Sequence, residues 1–208
     1  MAQAVYSVNA VGYINLAMQP GFNLVANQLK ASPNNSLNAV LTGVPLESQT
    51  YKFVNGNYVN DVFDGAVWLD NSNGDPSTTV LDPGQGFFFL NPLAAPATVT
   101  LVGEVPQGAA LNVTLGVGFT LAASIVPQTL PLTPANGFLN VQEMEILTYD
   151  ALTQNYNHSS INDGTGAWFD NTNGDPIPAP IAQVGQGFFV LNPTGSAVQW
   201  TRAFSVNP

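Results

Sequence analysis

The chain has 208 residues, 45% of them hydrophobic, which is enough for one or two compact domains with real cores. Charged residues make up only 8%, and Lys30, Lys52 and Arg202 stand against thirteen carboxylates for a net charge of −10. That balance excludes nucleic acid as a partner, because no basic patch is available to neutralise phosphate, and it disfavours an anionic membrane surface. No apolar run approaches the roughly 20 residues that a membrane-spanning helix requires.

At the start of the chain, Met1-Ala2-Gln3-Ala4 ends in an A-x-A triplet just ahead of Val5-Tyr6-Ser7-Val8. This is how a signal peptide ends at its cleavage point, so export to the medium or the cell surface is expected. Cysteine is absent, which rules out a disulfide framework and thiolate metal sites without deciding the compartment. Beyond an arm over residues 1–10, short runs rich in Val, Phe, Tyr and Thr alternate with Gly, Pro, Asn and Asp clusters, the pattern of strands and turns. The first strands are predicted at Tyr13-Ile14-Asn15-Leu16 and Phe22-Asn23-Leu24-Val25, and a short helix over Leu37 to Leu41 follows Pro33-Asn34-Asn35-Ser36. Asn55-Gly56 between Thr50-Tyr51-Lys52-Phe53 and Tyr58-Val59 predicts a hairpin with a type I′ turn, whose two central residues need positive φ. Gly86-Phe87-Phe88-Phe89-Leu90 and Val99-Thr100-Leu101-Val102 complete the set. The Gly-Phe-Phe run is continuous, which suits a strand buried on both faces, or one with a face used for association.

The same order of motifs returns in the second half. Val67-Trp68-Leu69-Asp70-Asn71-Ser72-Asn73-Gly74-Asp75-Pro76 reappears as Ala167-Trp168-Phe169-Asp170-Asn171-Thr172-Asn173-Gly174-Asp175-Pro176. Gly84-Gln85-Gly86-Phe87-Phe88 reappears as Gly185-Gln186-Gly187-Phe188-Phe189, and Gly21-Phe22-Asn23-Leu24 as Gly118-Phe119-Thr120-Leu121. Two tandem units are therefore expected, over residues 11–106 and 107–208. Each reads as an antiparallel β-sandwich or a partly closed barrel, making the chain all-β.

The loops Asp70 to Asp75 and Asp170 to Asp175 place oxygen-bearing side chains, with Ser72 and Thr172 between them, at alternate positions near a Gly. That pattern admits a calcium site and equally a tight turn whose side chains bond the local backbone. Trp68 and Trp168 read either as platforms for stacking sugar rings or as core anchors. Catalysis has little footing. His158 is the sole histidine, Glu143 and Glu145 are as ordinary on a solvated strand as in a hydrolytic pair, and Gly84-x-Gly86 lacks the following helix and Lys of a phosphate loop. A non-enzymatic protein with no required cofactor is expected.

Val11-Gly12-Tyr13-Ile14-Asn15-Leu16, Gly21-Phe22-Asn23-Leu24-Val25-Ala26-Asn27-Gln28-Leu29 and Pro83-Gly84-Gln85-Gly86-Phe87-Phe88-Phe89-Leu90-Asn91-Pro92 together resemble uncharacterised exported tandem-repeat proteins of verrucomicrobial-type bacteria. The resemblance implies export and a β-rich unit and brings no active-site residues. Tyr6-Ser7-Val8-Asn9 and Phe204-Ser205-Val206-Asn207 differ only in the aromatic. Val5, Tyr6, Ser7, Val8, Phe204, Ser205 and Val206 are thus the candidate assembly residues of a self-associating extracellular filament or coat, joined head-to-tail by strand pairing. The alternative is a monomeric carbohydrate-binding or adhesion module whose partner is a glycan, met by the tryptophans and the Asp loops.

Overall fold

The computed structural model describes residues 10–206. The first half contains β1 (Val11–Met18), β2 (Gly21–Asn27), the one-turn helix α1 (Leu37–Val40), β3 (Leu41–Thr42), β4 (Gln49–Val54), β5 (Asn57–Phe63), β6 (Trp68–Asp70), β7 (Gln85–Asn91) and β8 (Ala97–Glu104). The second half contains β9 (Gly108–Leu115), β10 (Gly118–Ala122), β11 (Leu130–Pro131), a 3-10 turn (Pro134–Asn136), β12 (Glu145–Leu147), β13 (Tyr149–Asp150) and β14 (Asn155–Tyr156). It continues through β15 (Ser160–Asn162), β16 (Trp168–Asp170), β17 (Pro176–Ile177), β18 (Ile181–Ala182), β19 (Phe188–Asn192) and β20 (Val198–Phe204). Every strand read from the first-half motifs is present, and the fold is all-β and sandwich-like with no closed barrel. Asn55 and Gly56 take φ of 50° and 81°, as a type I′ hairpin between β4 and β5 requires.

Each half stacks a small outer sheet on its share of a large inner one. The outer sheets are β1-β8-β3 and β9-β20, and their strands alternate: Ile14 and Met18 of β1, and Val113 and Leu115 of β9, point inward. The inner sheet has eleven strands and passes through both halves. Its central strands are buried on both faces, which explains their unbroken apolar runs. Phe87 and Phe89 enter the first core with Trp68, Leu101 and Met18; Phe188 and Val190 enter the second with Trp200, Leu115 and Met144. The opposite face carries Phe88 and Phe189 into a third cluster shared by both halves, with Leu24 and Leu121. The repeated Leu-Asn-Pro ending has a structural cause. The buried Asn91 amide donates to the carbonyls of Met18 and Ala95, and Asn192 donates likewise to Leu115 and Ser196, so each closes the turn into the last strand of its half.

The halves meet reciprocally. Ala26 N–H donates to Gly185 O and Ala123 N–H donates to Gly84 O, both at 2.9 Å, and these are equivalent positions of the two repeats exchanged. The bridges Val25 to Gln186 and Ala122 to Gln85 show the same exchange. A local two-fold axis therefore relates the repeats, passing close to Gly86 and Gly187. A contact in which i meets j and j meets i closes on itself. The internal junction is thus closed, unlike a head-to-tail contact, which repeats without closing.

Candidate functional site

Around that axis the reciprocal packing gathers aromatic side chains from both halves. Tyr51 and Tyr58, on the β4–β5 hairpin, have Tyr149 and Tyr156 of the β13–β14 hairpin as their equivalents. Each hairpin is anchored at its base, β4 on β7 and β12 on β19, so its tyrosines lean over the shared Phe88 and Phe189. Phe88 meets Phe22, Tyr58, Tyr149 and Tyr156 edge to face, with centroids 6.1, 6.3, 5.2 and 6.4 Å away. Phe22, Tyr51, Tyr58, Phe88, Tyr149 and Tyr156 line an open cleft of about 330 Å³. None of the six carries a charge, and Phe22, Tyr58 and Tyr156 are 38%, 46% and 49% exposed.

Desolvation raises the pKa of Tyr51, Tyr58, Tyr149 and Tyr156. Tyr156 moves furthest, pushed up to about 12 by burial, with the Tyr58 charge and a hydrogen bond to the Tyr58 side chain adding to it. A folded-state pKa above the unfolded value of about 10 stabilises the fold below pH ~10 and loses that contribution as pH rises through the folded value. The aromatic face is therefore expected to hold at neutral pH and to come apart between about pH 10 and 12, as tyrosinate absorbance rises and near-ultraviolet dichroism is lost. Complete titration of all tyrosines near pH ~10 with unchanged dichroism would contradict this.

Gln154, with φ of 55°, sits at the tip of the second hairpin and pins it to the first half. Its Oε1 accepts Phe22 N–H at 2.8 Å, and its Nε2 donates to Phe22 O at 3.0 Å and Pro20 O at 3.3 Å. The Tyr149 hydroxyl donates to the same Oε1 at 3.3 Å. This cluster escaped the sequence reading, although Thr-Tyr followed by Asn-Tyr recurs in both halves at Thr50-Tyr51, Asn57-Tyr58, Thr148-Tyr149 and Asn155-Tyr156.

The residues expected to form sites lie elsewhere. Trp68 and Trp168 are 1% and 2% exposed, so the sugar-platform reading of both is corrected: they are core anchors. Trp68 packs on Phe63 with centroids 5.5 Å apart, and Trp168 Nε1 donates to Leu132 O at 3.2 Å. The Asp loops use their side chains on themselves. Asp70 accepts from Ser72 N–H and Oγ, Asp170 from Thr172 N–H, and Asn73 and Asn173 from the N–H of Asp75 and Asp175. These bonds hold the Asp70 and Asp170 carboxyls below the usual carboxylate range, with the Ser72 hydroxyl the largest cause at Asp70 and the Thr172 N–H at Asp170. His158 Nδ1 lies 3.2 Å from Asp170 Oδ2 on the surface. Glu143 stands before β12 with a left-handed φ of 63°, outside the strand that begins at Glu145. Val5, Tyr6, Ser7 and Val8 lie outside the described residues. Phe204 pairs with Gly108 inside its own chain, and Val206 N–H donates to Gln107 Oε1, so the C-terminal strand is engaged within the molecule.

Fold and site together define an all-β tandem-repeat protein with an aromatic face shared by its two units. Comparison with protein-family models, with curated proteins and with solved structures finds no match.

Proposed function

We propose that the protein is a non-catalytic extracellular binding module whose aromatic face stacks neutral carbohydrate. The observation that carries this reading is the uncharged cleft of six aromatic rings, open to solvent. Sugar rings present apolar C–H faces that such a surface can stack, and the low-charge composition suits an uncharged ligand. The Asp loops lie outside the lining of this face. The test is calorimetric titration with a panel of neutral oligosaccharides. Tyr58→Ala and Tyr156→Ala are each expected to weaken binding about tenfold or more with little change in melting temperature. Retention of full affinity by both variants, or no binding across the panel, would overturn the reading.

A second reading, self-assembly, is supported by the outer edge of β1, which pairs only with β8 among the described residues and exposes Val11 and Tyr13. Here the arm carrying Val5 to Val8 of one copy adds to that edge of the next. Electron microscopy before and after removal of residues 1–9 distinguishes it. Polymers that vanish on truncation support it, and polymers unaffected by truncation rule out the arm.

A further inference from the structure

The reciprocal junction has two equivalent slots beside its axis, and among the described residues a side chain fills only one of them. In the filled slot, Gln154 lies against Gly21 and bonds Phe22 N–H and O and Pro20 O through one carboxamide. The equivalent of Gln154 is Gly56, and the equivalents of Pro20, Gly21 and Phe22 are Val117, Gly118 and Phe119. A Cβ placed on Gly118 or on Gly56 would meet nothing within 4 Å. Between them lies a cleft of about 890 Å³, walled by the β4–β5 hairpin tip on one side and by β9 and β10 on the other.

Backbone parity fixes what this cleft presents. The N–H and C=O of one strand residue point to the same side, and alternate residues repeat that direction. Phe22, Leu24 and Ala26 face the second half: Phe22 bonds Gln154, Leu24 O accepts Gly187 N–H, and Ala26 N–H donates to Gly185 O. Ala123 N–H donates to Gly84 O, so Phe119, on the same side as Ala123, turns its N–H and C=O into the cleft. The donor and acceptor that Gln154 satisfies in one slot are thus repeated in the other, with no side chain of the chain itself opposite them among the described residues. Beside them runs the edge of β9, which pairs with β20 alone among the described residues, and Asn112, Val113 and Thr114 line the cleft.

We propose that this cleft binds a partner polypeptide by taking the primary carboxamide of a Gln or Asn side chain onto Phe119, with the partner's main chain along β9. The carboxamide must be primary. For one amide group to bond both the N–H and the C=O of a single residue, as Gln154 does, it needs a donor cis to its oxygen, which the trans amide of a peptide bond or an N-acetyl group lacks. A polypeptide is favoured over a free amide because the unpaired β9 edge offers main-chain pairing in the same cleft. This site is separate from the aromatic face and does not depend on the carbohydrate reading.

The test is amide NMR of the protein with three probes: acetamide, N-methylacetamide, and a synthetic peptide with the sequence of residues 150–154, whose one carboxamide side chain is Gln154, together with its Gln-to-Glu counterpart. The Phe119 amide resonance is expected to shift saturably with acetamide and not with N-methylacetamide. The Gln peptide is expected to bind about tenfold more tightly than the Glu peptide, which cannot donate. Opening the twin slot with Gln154→Ala is expected to add a second set of shifts at Phe22. An unmoved Phe119, or equal binding of the two peptides, would overturn the proposal; a response to acetamide without the peptide would overturn the polypeptide partner.

Discussion

Gly187→Val is expected to lower the melting temperature by on the order of 10 °C, following a loss of about 3 kcal/mol or more. A Cβ at Gly187 would stand 2.6 Å from Val25 O and 3.3 Å from Gly86 Cα, and these are backbone atoms that cannot rotate aside. Gly86 is confined in turn by the Leu121 side chain and by Ala122 O at 3.2 Å. The close approach of the two Gly-Gln-Gly segments is what lets Ala26 and Ala123 make their reciprocal bonds. Gly195→Ala is the control, because nothing lies within 4 Å of its Cβ position. Thermal unfolding followed by circular dichroism separates them. A Gly187→Val protein that melts with the parent would mean that the halves do not depend on this contact.

Trp200→Ala is expected to cost about 3–5 kcal/mol through the cavity it leaves. Its indole is fully buried, sits edge-on to Phe138 at 5.1 Å and donates to Asn136 O at 3.2 Å. The second core that holds it shares no residue with the cleft of tyrosines, so carbohydrate affinity measured well below the melting temperature is expected to be unchanged. Tyr156→Ala is expected to behave conversely, losing affinity with little change in melting temperature. A Trp200→Ala protein with intact stability would show that the core collapses around the gap, and one with lost affinity would tie the aromatic face to this core.

Much of the fold was legible because its signals are local. Asn55-Gly56 specified a turn through backbone sterics, and the unbroken Phe87-Phe88-Phe89 run signalled a strand buried on both faces or with one face used for association, of which the first holds. The Asp loops were ambiguous for a physical reason. Asx turns and hard-cation loops need the same oxygen-bearing side chains near the same glycine, and here those side chains bond the backbone of their own loops. The tryptophans were ambiguous too, since an indole serves equally as platform or core and burial decides which.

The sequence by itself determined the all-β class, the order of the strands and the recurrence of one motif set, since these follow from side-chain periodicity and turn chemistry within a few residues. Tertiary structure alone decided that the repeats face one another across a two-fold axis rather than stacking in series. It also decided that Tyr51, Tyr58, Tyr149 and Tyr156 converge, and that Gln154 fills one slot where Gly56 leaves its twin open. The reason is distance along the chain. Which faces meet depends on packing between residues as far apart in the chain as Val25 and Gln186, and no local pattern encodes that packing.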